Sequence, residues 1–171
     1  ATLYGSAKHA LQILATAYLQ AREVSFAWGR MFFLYGPGED SRRLVPTVIQ
    51  NLLAKKKTPV THGDQIRDFL HVKDVAEAFV ALLDTGIEGP VNIASGVPVA
   101  VKTLISTISK KLDGDKLIEW GALPMPVNDP HELRADVCRL KNEVGWRPRY
   151  DLEMGLSETI QEWRKILTES I

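Results

Sequence analysis

Tyr4 and Lys8 stand four residues apart at the head of a run, Tyr4 to Arg22, that holds no proline and no glycine beyond Gly5. In a helix, residues i and i+4 share a face, so a phenol and an ammonium at this spacing lie side by side. An ammonium beside a phenol favours the phenolate. A tyrosine tuned in this way can take or give a proton near neutral pH, which is general acid–base chemistry. Alone, the pentapeptide Tyr4-Gly5-Ser6-Ala7-Lys8 fits an ordinary surface pair better, because Y-x-x-x-K is a loose pattern. Its weight depends on the rest of the chain.

The run from Tyr4 to Arg22 reads as the helix that positions the pair. Polar residues fall at His9, Gln12, Thr16, Gln20 and Glu23, one narrow stripe at helical spacing. Leu11, Leu14, Ala15 and Tyr18 form one apolar flank, and Ala10, Ile13, Ala17 and Ala21 the other. A helix with two apolar flanks expects cover on both. Val24 to Trp28 reads as a short buried strand ending at Gly29-Arg30, and Met31 to Tyr35 continues it into the turn Gly36-Pro37-Gly38. A charged loop, Glu39 to Arg43, precedes a helix from Leu44 to Leu53 that tolerates Pro46 in its first turn. Lys55-Lys56-Lys57 fits a solvated helix end. Val60 to His62 is expected to pair with Phe69 to His71 around Gly63-Asp64.

Asp74 to Leu83 is an amphipathic helix with Val75, Phe79, Leu82 and Leu83 on one face. Val91 to Ala94 reads as a buried strand closing on Ser95-Gly96. A helix over Val101 to Leu112, an edge strand over Leu117 to Trp120 and a proline-punctuated stretch over Leu123 to Pro130 come next. Ala135 to Val144 reads as a short helix ended by Gly145. The last helix, Leu152 to Leu167, carries Leu156, Ile160, Trp163 and Leu167 on its apolar face. Alternating helices and strands point to an α/β architecture with a parallel sheet.

With 171 residues and 45% hydrophobic content, the chain can build one ordinary domain core. Its 21 basic and 21 acidic residues balance, so no broad electrostatic footprint for nucleic acid or an anionic membrane is expected. Cys138 is the single cysteine, which excludes an internal disulfide and suits a reducing compartment. Its position in an expected helix reads as inert packing. His9, His62, His71 and His131 show no metal-site spacing. No apolar run reaches membrane-spanning length and no secretion signal opens the chain, so cytoplasm is the expected location. The chain opens without Met and almost directly on the candidate tyrosine, as a piece of something larger would.

Five further segments raise the weight of the opening pair. They are Arg30-Met31-Phe32-Phe33-Leu34-Tyr35-Gly36-Pro37-Gly38, Arg67-Asp68-Phe69-Leu70-His71-Val72-Lys73-Asp74-Val75-Ala76, Asn92-Ile93-Ala94-Ser95-Gly96, Arg134-Ala135-Asp136, and Leu140 with Gly145-Trp146-x-Pro148. In this order they resemble the extended short-chain dehydrogenase/reductase superfamily, the NAD-dependent epimerase/dehydratases acting on nucleotide sugars. With the opening pair counted and the last two segments taken as one, the corresponding patterns there are Y-x-x-x-K, R-x-F-N-x-Y-G-P-G, R-D-F-x-H-V-x-D-V-A, N-I-x-S-G and R-x-D … L … G-W-x-P. The resemblance covers nearly the whole chain. It implies the C-terminal part of a Rossmann-type parallel sheet plus the smaller α/β substrate-binding domain. Residues 1–36 would be the catalytic helix and strand of the nucleotide-binding part, and 72–96 the helix and strand returning to it. Residues 37–71 and 97–171 would belong to the substrate side. The family's glycine-rich phosphate loop has no counterpart here, nor does the Ser or Thr of its catalytic triad. The chain therefore looks like the C-terminal half of such an enzyme.

In the family the tyrosine phenolate takes a proton from a sugar hydroxyl, and the lysine lowers its pKa and hydrogen-bonds the cofactor ribose. The resemblance implies that role for Tyr4 with Lys8 as its partner, and NAD or NADP as the cofactor of the intact protein. The chain alone is not expected to bind it. Phe32 falls where the family's chain passes the nicotinamide, a place that core packing also explains. Phe33 departs from the family's usual Asn, a donor to the nucleotide-sugar, so the substrate contact there is lost or passes to backbone. Arg67 and Arg134 fall where the family sets cations against the substrate diphosphate. The bland alternative is a structural salt bridge, for Arg67 with Asp68 or Asp74. Leu44 and Val45 match a segment lining the nucleotide-base pocket, and helix core explains them equally well. His71 and Asp74 are expected to cap or brace the following helix.

These residues imply a nucleotide-diphosphate-sugar substrate and hydride transfer at a sugar carbon, with epimerase, reductase and dehydratase all open. A homodimer through the Tyr4–Arg22 helix is also implied, with neither nucleic acid nor membrane as partner. The competing class is a non-catalytic nucleotide-sugar-binding or regulatory protein on the same scaffold, or a natural half-chain that binds sugar nucleotides. Retention of both Tyr4 and Lys8 favours the enzyme.

Overall fold

The computed structural model describes residues 2–169. Helix α1 (Leu3–Gln20) starts at Thr2, whose Oγ1 accepts the Gly5 N–H at 3.1 Å, an N-cap made by the preferred residue type. Two strands follow, β1 (Ala27–Met31) and β2 (Phe33–Tyr35), then helix α2 (Leu44–Leu53). Next come β3 (Thr58–Pro59), β4 (Ile66–Arg67) and β5 (Phe69–His71), helix α3 (Val72–Asp84) and strand β6 (Gly89–Ile93). The remainder is β7 (Val99–Ala100), α4 (Val101–Lys111), a 3₁₀ turn at Asp115–Leu117, β8 (Ile118–Glu119), β9 (Glu132–Leu133), α5 (Cys138–Asn142) and α6 (Leu152–Glu169).

Strand pairing is mostly parallel, as the alternation of helix and strand requires. β1 pairs with β6 and β2 with β5, Trp28 lying opposite Pro90 and Leu34 opposite Leu70. The run expected as one strand through Tyr35 breaks at Phe32, whose N–H donates to the Ile93 carbonyl at 3.2 Å. Before that break the chain follows β6, and after it β5. The hairpin expected between Val60–His62 and Phe69–His71 does not form. Val60 gives its N–H to Glu119 and its carbonyl to the Leu123 N–H, both at 3.1 Å, so it lies beside β8. β3 runs parallel to β8, while β4 sits between antiparallel β7 and parallel β9.

Two apolar clusters hold these elements. In one, Ile49 and Leu52 of α2 meet Leu104, Ile105 and Ile108 of α4 and Leu156 and Ile160 of α6. In the other, Ala78 and Leu82 of α3 meet Val91 and Ile93 of β6, with Leu140 and Trp146 closing over them. Phe79 lies so close over Gly29 of β1 that a Cβ there would collide with its ring. The expected helix over Ala135–Val144 shortens to α5. Gly145 in the left-handed region (φ 74) lets the Trp146 N–H reach back to the Leu140 carbonyl.

α1 stands apart from both clusters. None of its residues is buried. The side-chain hydrogen bonds that leave it run from Arg30 of β1 to Gln12 Oε1, at 2.8 and 3.3 Å. Both apolar flanks read from the sequence are present, and among the described residues neither is covered.

Candidate active site

The helical spacing of Tyr4 and Lys8 is realised. Lys8 Nζ lies 5.8 Å from the centre of the Tyr4 ring, and the tyrosine is 73% exposed. Phenol and ammonium thus share an open face of α1.

The second group of candidates gathers at β2, β4 and β9. Phe32 is half-buried against the cluster around β6. Phe33 is exposed on one side and lies tilted over Phe69 at 5.9 Å. The Arg67 guanidinium is 5.5 Å from the Phe33 ring centre, within cation–π reach. Arg67 itself is only 4% exposed. Its Nη1 donates to the Ile66 and His131 carbonyls at 2.8 and 3.2 Å, and Nη2 donates to Asp129 Oδ1 at 2.7 Å. Arg67 therefore makes a structural salt bridge, as the alternative had it, with Asp129 in place of Asp68 or Asp74.

Arg134 follows Leu133, the residue paired with Arg67 in register, so adjacent strands bring the two arginines to one region. Unlike Arg67 it is exposed, and it donates to Glu132 Oε1 at 2.8 Å. Leu44 is partly open at the start of α2, whereas Val45 is 2% exposed and belongs to the core. Among the described residues no hydrogen bond, ion pair or ring contact joins Tyr4 or Lys8 to the Arg67 group.

Three residues of the R-D-F-x-H-V-x-D segment do work that spacing alone did not reveal. Asp68 is fully buried. Its Oδ1 accepts from the Ser95 N–H and hydroxyl at 2.8 and 2.6 Å, and Oδ2 accepts from the Gly96 N–H at 3.0 Å. This clamps the Asn92–Gly96 turn onto β4 and β5 with charge-assisted bonds. Asp74, equally buried, accepts from the Arg149 and Tyr150 N–H groups at 3.1 and 3.0 Å and so fixes the segment after Trp146. It braces, as expected, though a segment other than its own helix end. His71 occupies the N-cap position of α3 but makes no capping bond. Its ring stacks on Tyr150 at 4.2 Å and meets Tyr35 edge-on at 5.5 Å. Both its nitrogens are buried without a partner, and burial holds the imidazole below its usual pKa. A turn of two buried acids and a boxed imidazole was legible only as a motif match.

Two other ionisable groups are perturbed. Burial pushes the Glu39 carboxyl, just past the Gly36-Pro37-Gly38 turn, up to about 7. Cys138 is exposed and not packed as expected, and the Asp136 carboxylate beside it pushes its thiol up. A thiol so placed is a poor nucleophile, since the thiolate is disfavoured. Among the described residues no cluster of three or more His, Cys, Asp or Glu could hold a metal, and no helix is long and apolar enough to cross a membrane.

The model of the NAD dependent epimerase/dehydratase family matches residues 1–94. UDP-glucuronic acid decarboxylase 1 of Arabidopsis thaliana is 28% identical over 170 residues, which are 97% of this chain and 39% of that protein. The structure of dTDP-glucose 4,6-dehydratase from Bacillus anthracis in complex with NAD superposes with a TM-score of 0.86 at 28% identity, covering 96% of this chain and 53% of that one. For UDP-glucose 4-epimerase from Thermotoga maritima with UDP-glucose, the TM-score is 0.89 at 24% identity, over 96% of this chain and 54% of that one. The chain spans about half the length of these solved structures, and less of the decarboxylase. The α/β fold with parallel strand pairs agrees with both structures.

Proposed function

The chain belongs to the NAD dependent epimerase/dehydratase family, and from that premise we propose that it is the C-terminal, substrate-side half of an enzyme acting on a nucleotide-diphosphate-sugar. The observation that carries this reading is the Tyr4–Lys8 pair, side by side and uncovered on α1. In this reading Tyr4 takes the proton from a sugar hydroxyl, and Lys8 keeps a positive charge beside it and donates to the cofactor ribose. NAD or NADP, when bound, supplies the hydride acceptor. This chain's share of the cofactor contacts is Tyr4, Lys8 and Phe32, and the open face of Tyr4 and Lys8 on α1 fits that share. The pyrophosphate cradle would come from a glycine-rich turn, which the sequence lacks. Arg67 and Arg134 hold the substrate diphosphate, with Phe33 and Leu44 beside them. Val45 supports Leu44 from the core.

Residues 1–36 and 72–96 then belong to the nucleotide-binding part, and 37–71 and 97–171 to the substrate side. The apolar clusters support most of that division. The exceptions are Tyr35, which packs in the cluster of α2, α4 and α6, and Leu70 with the stretch from Ala135 to Trp146, which pack with β6 and α3.

The reading is tested on the full-length protein with NAD or NADP and a panel of nucleotide-sugars, following products by chromatography. Conversion of at least one sugar is expected, while residues 1–171 alone should bind NAD negligibly. Absence of conversion across the panel, or a micromolar Kd for NAD with residues 1–171 by calorimetry, overturns it.

The uncovered helix has its own consequence. Leu11, Ile13, Leu14 and Tyr18 are all at least half exposed, the lowest at 50%. Apolar surface in water costs about 25 cal/mol per Å², so several such side chains on one helix favour association. Residues 1–171 should self-associate through Tyr4–Arg22 as a symmetric dimer. Light scattering that finds a monodisperse monomer at tens of micromolar would refute this, as would a dimer unaffected by Ile13→Lys with Ala17→Lys.

A further inference from the structure

Gln65 and Arg67 are two residues apart in extended chain, so their side chains leave the same face. Both are buried, Gln65 at 6% and Arg67 at 4% exposure. Both reach the same segment, the proline-punctuated strap from Leu123 to His131. Arg67 Nη2 meets Asp129 Oδ1 at 2.7 Å, and Gln65 Nε2 meets the Met125 thioether at 3.2 Å. The Gln65 Oε1 is buried with no partner at all.

The strap is tied at its ends, where the Leu123 N–H donates to the Val60 carbonyl and the His131 carbonyl accepts from Ile66 and Arg67, and is held lightly between them. Pro124, Pro126 and Pro130 have no N–H to give. Leu123, Met125 and Val127 are exposed to solvent, Val127 at 89%. Asn128 sits in the left-handed region (φ 65). A thioether is a weak acceptor, so the contact that holds the strap's middle is the Asp129 carboxylate. Asp129 is itself half-buried and engages Arg67 through one oxygen.

We propose that Asp129 is a stand-in for the substrate's phosphate, an internal carboxylate that holds Arg67 until the diphosphate displaces it and releases the strap. This rests on the reading of Arg67 as a diphosphate ligand and adds two residues to it. A buried guanidinium is costly without a counter-charge. Asp129 supplies that charge in the unliganded chain, and a diphosphate, with two non-bridging oxygens and a charge on each phosphorus, supplies it better. The freed Gln65 carboxamide, its Oε1 unpaired and its Nε2 held only by sulfur, is the next group to meet the entering ligand. Displacement makes the strap a selectivity filter as well. A ligand without phosphate has nothing to exchange for Asp129, so it does not open the strap.

The test uses the full-length protein with UDP, dTDP, CDP and GDP, each compared with its own nucleoside by calorimetry. Asp129→Asn removes the competing charge at nearly constant size. It should tighten the best diphosphate about tenfold, the worth of one competing charge-assisted hydrogen bond, and leave its nucleoside unchanged. Hydrogen exchange on the unmutated protein gives a second readout that does not depend on the variant folding. The Met125, Val127, Asn128 and Asp129 amides should exchange faster when that diphosphate is bound. Unchanged or weaker diphosphate binding in Asp129→Asn, or slowed or unchanged exchange in the strap, overturns the latch. If diphosphate affinity is also indifferent to Arg67→Ala, the Arg67 reading falls with it. If Arg67→Ala weakens binding while Asp129→Asn does not tighten it, the latch alone falls.

Discussion

Replacing Tyr4 with phenylalanine in the full-length protein is expected to lower turnover by about 10²–10⁴-fold, the range lost with general acid–base catalysis, and to change substrate binding far less. The geometry makes this an unusually clean substitution. Tyr4 is largely exposed and α1 buries nothing, so losing the hydroxyl leaves no cavity and no orphaned partner within this chain. In residues 1–171 folding energy should not move, and thermal melting of that variant should overlay that of its parent. What disappears is one transferable proton. A kcat near that of the parent would place the chemistry on another group. Equal loss in kcat and kcat/KM would place the interaction in the transition state, as the reading requires.

The sequence carried the helices well because their signals are local. The apolar period of α6 and the α3 face of Val75 and Leu82 are both written within a few turns of chain. The strands were harder. Val60 and Phe69 are both apolar and flank a glycine, which is all a local reading of a hairpin needs. Their partners, however, are Glu119 and Phe33, chosen by packing at long range. The candidate site divides in the same way. Tyr4 with Lys8 is an i, i+4 pair, visible from spacing. The Arg67–Asp129 pair joins residues 62 apart in sequence, so nothing local marks it. Asp68 and Asp74 were visible as motif letters, but their jobs as clamps on Ser95-Gly96 and Arg149-Tyr150 depend on where those loops return.

Removing the Arg67 side chain is expected to weaken binding of a nucleotide-sugar by roughly 2–5 kcal/mol, the range for truncating one partner of a buried charge pair. Arg134→Ala should cost much less, within the ~0–1 kcal/mol of an exposed pair. The two substitutions looked alike in sequence, and burial separates them. Arg67 is 4% exposed and Arg134 is open to solvent beside Glu132. A phosphate meeting Arg67 is stripped of water on one side, so losing the guanidinium leaves it poorly solvated. A phosphate meeting Arg134 keeps water as an alternative partner. Arg67 also ties the Ile66 and His131 carbonyls, so Arg67→Ala should lower the melting temperature as well, and affinity must be read at a temperature where the variant is folded. Arg67→Lys separates charge from shape. It keeps the positive charge but loses the planar fork, so it should recover only part of the affinity. The phosphate-free nucleoside should bind parent and variants alike. If Arg67→Ala binds every member of the panel as tightly as the parent, the buried guanidinium serves the fold alone and the diphosphate is held elsewhere.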